Sequence, residues 1–175
     1  SSVPSKFDNI LNDANDPMGV ELAYIDSVWL GCNGAVYLTN KVFSPTAYVS
    51  VSFPALINET MKIIDWAIEK CKFNVYLNSL NATYSFFIPT NNALLEYIDP
   101  VSYGKSKTQL YRFHYDPTKV NKDERVWASI WNYDVTTGEV GDSLGKVVGT
   151  DGRIENRLQD ILETHIVIGD VEDGH

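Results

Sequence analysis

Residues 84–94 read YSFFIPTNNAL, and this stretch constrains the fold more than any other part of the sequence. Its first five residues are mostly aromatic or β-branched, which is typical of a buried β-strand. Pro89 ends that strand because proline has no backbone N–H to pair. Thr90 can cap a helix that continues through Ala93 and Leu94. The stretch therefore predicts a strand that turns directly into a short helix.

Two longer helices are predicted on either side of this stretch. Apolar side chains recur at helical spacing over residues 59–73 and again from about residue 155 to residue 165. Residues 166–169, IVIG, follow the second helix and read as the start of a strand. The apolar positions of the two helices are Met61, Ile64, Ile68 and Cys71 in the first, and Leu158, Ile161, Leu162 and His165 in the second.

A β-hairpin and a larger β-unit complete the pattern. Residues 24–30 and 35–43 are rich in β-branched and aromatic side chains, and Asn33-Gly34 between them suits a turn with positive φ. Residues 98–157 contain two runs that alternate with period two, followed by turn-forming residues. This second unit predicts a small antiparallel meander.

Four of these segments together resemble the fasciclin-domain family. Residues 84–94 resemble its first signature box, in which an aromatic-rich strand runs through Pro-Thr into a helix. Residues 33–45, NGAVYLTNKVFSP, resemble the second box, with its Asn-Gly turn and closing strand. The helix and strand at 158–169 look like the segment that follows the first box, and the helix at 61–71 looks like the opening helix of the family.

The order of the two boxes differs from that of a single fasciclin domain. In the family the second box closes a domain, whereas here it precedes the first box by about 40 residues. The simplest explanation is a tandem protein cut across a domain junction. Residues 1–55 would then be the C-terminal part of one unit, and residues 56–175 the N-terminal part of a second unit with an insertion at about 98–157. Alternatively, the two halves assemble as a circular permutant.

The resemblance implies an α+β fold, a β-sandwich or wedge with several short helices and an inserted antiparallel meander. With its insertion, the sequence is similar to the tandem fasciclin proteins of bacterial cell envelopes, which are exported lipoproteins. We therefore expect a cell-surface or extracellular location, with a lipid anchor on a segment not present here. The implied function is a non-enzymatic adhesion module that binds a protein or glycan ligand.

Charge and hydropathy exclude several other classes of protein. The chain has 175 residues and a formal net charge of −9, which argues against nucleic acid or an anionic membrane as a partner. No apolar stretch reaches the roughly 18 residues of a transmembrane helix. The spacing of the residues indicates no cofactor and no metal site, and three isolated histidines do not form one. Cys32 and Cys71 lie 39 residues apart, and they are either two small buried side chains or a disulfide.

Two polar residues are weighed as functional candidates. Ser143 lies in GDSLG at 141–145, which matches a serine-esterase signature, but turn-forming residues precede it and poor helix formers follow it. We expect a hairpin turn there and no catalytic residue, and keep esterase activity as a weaker alternative. His165 lies on the apolar face of its helix and is expected to be a structural histidine that bonds a backbone group.

The most informative candidates are aromatic residues of the meander. Trp127, Trp131 and Tyr133 share one face of a predicted strand. Tyr111, Phe113 and Tyr115 share a face of the partner strand, where Leu110, Arg112 and His114 share the other. If one aromatic set faces solvent, it forms a platform that stacks on sugar rings or anchors a protein ligand. If both face inward, they are the core of the meander, and we favour the core for most of these rings.

Overall fold

The computed structural model describes residues 6–7, 18–19, 25–40, 50–78, 83–104 and 107–169. These residues form helices and antiparallel strands, so the predicted α+β class is confirmed. The α-helices are α1 (Phe53–Ile57), α2 (Lys62–Lys70), α3 (Asn74–Leu77) and α4 (Gly152–His165), with short 3-10 segments at Glu59–Met61, Ala93–Glu96, Pro100–Ser102 and Lys122–Glu124.

The strands in the described part of the chain form three antiparallel pairs and one antiparallel sheet of four strands. The pairs are β1 (Lys6–Phe7) with β2 (Met18–Gly19), β3 (Ile25–Gly31) with β4 (Gly34–Thr39), and β5 (Tyr84–Phe86) with β10 (Ile166–Ile168). The larger sheet has the order β6 (Tyr97–Ile98), β7 (Thr108–Tyr115), β8 (Val126–Tyr133) and β9 (Val140–Val148).

The core lies between one face of the larger sheet and a layer made by α2 and α4. Both helices present a stripe of apolar side chains at helical spacing, and the sheet contributes alternate residues of β7 and β8. The segment at 98–157, predicted as an insertion, thus supplies the central sheet of the core. The fully or nearly fully buried residues of the core include Ile63, Ile64, Ala67, Ile154, Leu158, Leu162, Tyr111, Phe113, Val126, Ala128 and Ile130.

The stretch at 84–94 forms the predicted strand and short helix, and it also holds α2. The helix is a 3-10 segment whose N-cap residue is Asn92 rather than the predicted Thr90, although the hydroxyl of Thr90 accepts from the backbone N–H of Ala93 at 3.4 Å. The Asn91 side chain accepts from the N–H of Ile63 at 3.1 Å and donates to the carbonyl of Glu59 at 3.1 Å. Asn91 therefore satisfies backbone groups at the start of α2 that the helix itself leaves unpaired.

A buried ion pair ties α4 to the edge of the larger sheet. Arg157 donates to the carboxylate of Asp99 at 3.0 Å, and these side chains are only 14% and 1% exposed. Asp99 also caps the 3-10 segment that follows it, by accepting from the N–H of Val101 at 3.2 Å. The Arg157 guanidinium lies 5.4 Å from the ring centroid of Tyr111 in β7. One pair therefore joins the helix, the edge of the sheet and the core.

A close backbone approach fixes the opposite side of the helical layer. Trp66 of α2 donates its indole N–H to the carbonyl of Lys122 at 2.8 Å. A Cβ atom placed on Gly149 would lie 2.7 Å from that indole ring and would overlap the carbonyl oxygen of Asp123. The absence of a side chain at residue 149 lets α2 dock against the end of the sheet.

Two local expectations differ from the structure. The predicted hairpin forms, but neither Asn33 nor Gly34 has positive φ, and the two-residue turn is Cys32-Asn33. The expected turn at residues 141–145 is instead part of β9, and the hairpin turn precedes it, at Asp134 to Glu139. Gly145 has φ +110°, a conformation open to glycine, which lets the strand continue through an irregular ladder.

The buried ion pair generates a stability prediction. Arg157→Ala leaves the Asp99 carboxylate buried without its cation, and we expect it to lower the free energy of unfolding by about 3–5 kcal/mol. Arg153→Ala, in the same helix, removes an exposed partner of Asp151 and should cost less than about 1 kcal/mol. Urea unfolding of both variants checks this, and equal losses would contradict the role of the buried pair.

A second stability prediction concerns the glycine under Trp66. Gly149→Ala should destabilise the protein by about 1–3 kcal/mol, because the methyl group forces α2 away from the sheet. Gly152→Ala is the matched control, since no atom lies within 4 Å of its added Cβ. Thermal unfolding distinguishes the two, and a Gly149→Ala protein as stable as the control would contradict the close approach.

Candidate functional site

The outer face of the larger sheet, turned away from α2 and α4, carries the predicted tryptophans. Strand β8 reads VWASIWNY, and successive side chains of a strand point to opposite faces. Val126, Ala128 and Ile130 are 0–3% exposed and belong to the core. Trp127 and Trp131 alternate with them, lie on the outer face and remain partly exposed. Strand β8 thus divides its side chains between core and surface.

Strand β7 divides its residues in the same way. Tyr111 and Phe113 are buried at 1% and 0% exposure, and Tyr115 packs against the same core. Arg112 and His114 lie between them on the outer face and are partly exposed. The two aromatic sets predicted from the sequence therefore occupy opposite faces, one in the core and one on the surface.

Cross-strand register arranges the outer residues as a cross centred on Ser129. Arg112 of β7 pairs with Ser129 of β8, and Ser129 pairs in turn with Lys146 of β9. Trp127 and Trp131 lie two residues before and after Ser129 on its own strand. We call this set, with His114 and Tyr133, the aromatic–cationic face.

Each tryptophan of this face contacts a cationic or imidazole side chain. The Lys146 ammonium lies 3.7 Å from the ring centroid of Trp127. The His114 ring stacks on the same indole, at 4.1 Å between centroids and an interplanar angle of 20°. The Arg112 guanidinium lies 5.5 Å from the ring centroid of Trp131. These are the distances of cation–π contacts, so the rings and the charges hold one another in place.

Two open clefts adjoin Tyr133, which follows Trp131 on the outer face of β8. The indole N–H of Trp131 donates to the hydroxyl of Ser129 at 3.0 Å, which fixes the ring on the sheet. Tyr133 lines both a cleft of about 210 Å³ and a larger one of about 460 Å³. The smaller cleft is also lined by Ile98, Leu110 and Arg112, and the larger one by the acidic residues Asp134, Glu139 and Asp142. The face is therefore cationic around Ser129 and acidic beyond Tyr133.

The pKa of His114 reflects both burial and the positive charges of the face. Burial lowers the pKa of this imidazole, and the charges of Lys146 and Arg112 lower it further. The folded protein therefore favours the neutral ring, and the unfolded chain takes up the proton at a higher pH. It follows that the free energy of unfolding decreases as the pH falls through about 6.5.

The lowered pKa of His114 can be tested by NMR titration. We expect the pKa read from the chemical shifts of its ring protons to lie below the ordinary value of histidine. Lys146→Gln should raise this pKa, because it removes one of two positive charges close to the ring. Lys72→Gln, an exposed lysine at the end of α2, should leave it unchanged. An identical His114 titration in the wild type and Lys146→Gln would contradict the arrangement.

Ser143 lies inside β9, exposed, and accepts a hydrogen bond from the N–H of Gly145 at 3.3 Å. A serine-hydrolase elbow needs a sharp turn from a strand into a helix directly after the nucleophile. Here the strand continues to Val148 instead. Ser143 therefore lacks the sharp turn from strand to helix that this signature requires.

His165 and Cys71 are partly buried, whereas Cys32 is exposed, so the expectation of two buried cysteines is wrong for Cys32. His165 is partly buried at the end of α4, and its Nδ1 lies 2.8 Å from the carbonyl oxygen of Ile161, which makes Nδ1 the protonated nitrogen. Cys32 and Cys71 are both free, and burial raises the pKa of the Cys71 thiol to about 11. Among the described residues, no three His, Cys, Asp or Glu side chains cluster as a metal site would need.

Sequence reasoning missed Lys146 as a member of the site. Period-two alternation placed Arg112 and His114 together, because both belong to one regular strand. Lys146 reaches the face through β9, whose pairing with β8 is irregular near Trp131 and Tyr133. The spacing of residues along the chain does not reveal such shifts of register.

Comparison of the chain with known protein families, with curated proteins and with solved structures finds no match. No helix among the described residues has both the length and the apolar character needed to cross a membrane.

Proposed function

We propose that this protein is a non-enzymatic binding module that recognises carbohydrate through the aromatic–cationic face. The observation that carries the proposal is the position of Trp127 and Trp131 on the outer side of the sheet, where they remain partly exposed. Sugar rings have faces of C–H groups that pack on flat aromatic rings. Hydroxyl groups around those faces can pair with the polar side chains between the indoles.

The spacing of the two indoles favours a polysaccharide over a single sugar. Trp127 and Trp131 are four residues apart on one strand, so their Cα atoms are separated by about 13 Å. A ligand that stacks on both must span several sugar units. Because β8 is one of the two inner strands of a hydrogen-bonded sheet, the two rings are held on a rigid support, which limits the ordering cost of binding.

A protein ligand at the same face is the second candidate. Tryptophan, tyrosine and arginine are enriched among the residues that dominate protein–protein binding energy, and Trp131, Tyr133 and Arg112 lie together here. Adhesion through protein contact and capture of a glycan would thus use one surface.

The cellular setting of this proposal rests on the fasciclin resemblance. The sequences at 33–45 and 84–94 support a fasciclin-like β-sandwich or wedge divided at about residue 55, with residues 98–157 inserted in the second unit. They also support a cell-surface or extracellular adhesion role. The esterase alternative at Ser143 has no such support.

A glycan-binding experiment tests the proposal. The protein is screened against a panel of neutral and acidic polysaccharides together with matrix glycoproteins. We expect binding to at least one polysaccharide, and a loss of about tenfold or more in affinity in Trp127→Ala and in Trp131→Ala. Each substitution removes a stacking surface on the outer face of the sheet.

Trp29→Ala is the matched control for these variants. Trp29 lies in β3, outside the larger sheet, and is 56% exposed, so its loss should leave glycan binding unchanged. Glycan binding that survives in Trp127→Ala and Trp131→Ala would overturn the proposal. Binding to a glycoprotein but to no free polysaccharide would favour the protein ligand instead.

A further inference from the structure

The tryptophans of the aromatic–cationic face are covered in a specific way. The side chain over Trp127 is the Lys146 ammonium, at 3.7 Å from the ring centroid, and the one over Trp131 is the Arg112 guanidinium, at 5.5 Å. His114 stacks on Trp127 from β7, whereas Lys146 comes from β9 on the other side of β8. A ligand that stacks on either indole therefore meets a positive charge first.

We propose that Lys146 and Arg112 make the face selective for acidic polysaccharides, whose carboxylate or sulfate groups replace the indole as partner of each cation. This inference rests on the proposed function and names its class of ligand. A neutral glycan has to displace the cation from the ring and offers it no charge in return. An acidic glycan displaces the same cation and pairs with it.

The charge distribution supports this class of ligand. The protein as a whole has a formal net charge of −9, yet the charges that act on His114 are the two cations Lys146 and Arg112. Through their shared partner Ser129, these cations lie in one row across three strands, with their Cα atoms about 10 Å apart. A linear polyanion can contact both at once, and its binding depends on these two cations because the acidic residues beyond Tyr133 and the net charge of the protein repel it.

The two cations differ in how they bind an anion. The Arg112 guanidinium presents a planar fork that matches a carboxylate or sulfate through two parallel hydrogen bonds. The Lys146 ammonium is a compact charge on a flexible and exposed stem, so it leaves the ring at small cost, a factor of about two to five in affinity. Lys146 is therefore the residue at which neutral and acidic ligands are best separated.

The test is whether Lys146→Gln changes the affinities for acidic and for neutral glycans in opposite directions. The probes are oligogalacturonate with its methyl ester, and dextran sulfate with dextran, so that each pair shares a backbone and differs in charge. Affinities are measured by calorimetry at low salt. We expect each acidic probe to bind about tenfold or more tightly than its neutral partner. Lys146→Gln should weaken acidic probes by about threefold to tenfold and strengthen neutral ones by about twofold to fivefold.

Control measurements distinguish a failure of the selectivity for acidic glycans from a failure of the proposed function. Lys72→Gln removes the same charge outside the face and should change neither affinity, so an equal effect there would indicate unspecific attraction and overturn the selectivity. Equal changes for acidic and neutral probes in Lys146→Gln would overturn it too, while binding that depends on Trp127 would keep the proposed function.

Polyglutamate bound as tightly as oligogalacturonate would exclude carbohydrate selectivity, and no binding of any probe would remove both proposals. The two probe pairs show whether carboxylate or sulfate is preferred.

Discussion

The register between β7 and β8 is the constraint on which the rest of the structure depends. Eight consecutive residues of one strand pair with eight of the other, so both alternations stay in phase. Tyr111 and Phe113 of β7 then share the inner face with Val126, Ala128 and Ile130 of β8. A slip of one residue in β7 would turn Arg112 and His114 toward the core and expose Tyr111 and Phe113. Because buried charges without partners are costly, the register that forms the core also forms the outer face.

The helical layer is held on the inner face by two contacts of different character. At one edge, the Asp99–Arg157 pair is nearly dry, so its geometry is demanding and the loss of either partner is costly. At the other edge, Trp66 packs over a glycine, and shape complementarity rather than charge determines the fit. The inner face is thereby filled.

On that outer face, each indole ring contacts a cationic side chain. A ligand that binds there has to compete with this contact, which is why charged and neutral ligands are expected to bind differently. Contacts between exposed rings and cations are weak, so a ligand can rearrange them without disturbing the sheet. The backbone beneath is a continuous hydrogen-bonded ladder, which keeps the spacing of the rings constant.

Residue order alone determined the strand and short helix at 84–94, the helix α4, the hairpin of β3 and β4, and the two faces of β7 and β8, since each depends on local propensity and alternation. Alternation could not show which aromatic set is buried, because that depends on where α2 and α4 pack. Nor did spacing indicate the helix at Phe53–Ile57, the continuation of β9 through Gly145, or the arrival of Lys146 over Trp127. Those features arise from contacts between distant segments and from irregular register, and only the folded chain brings such groups together.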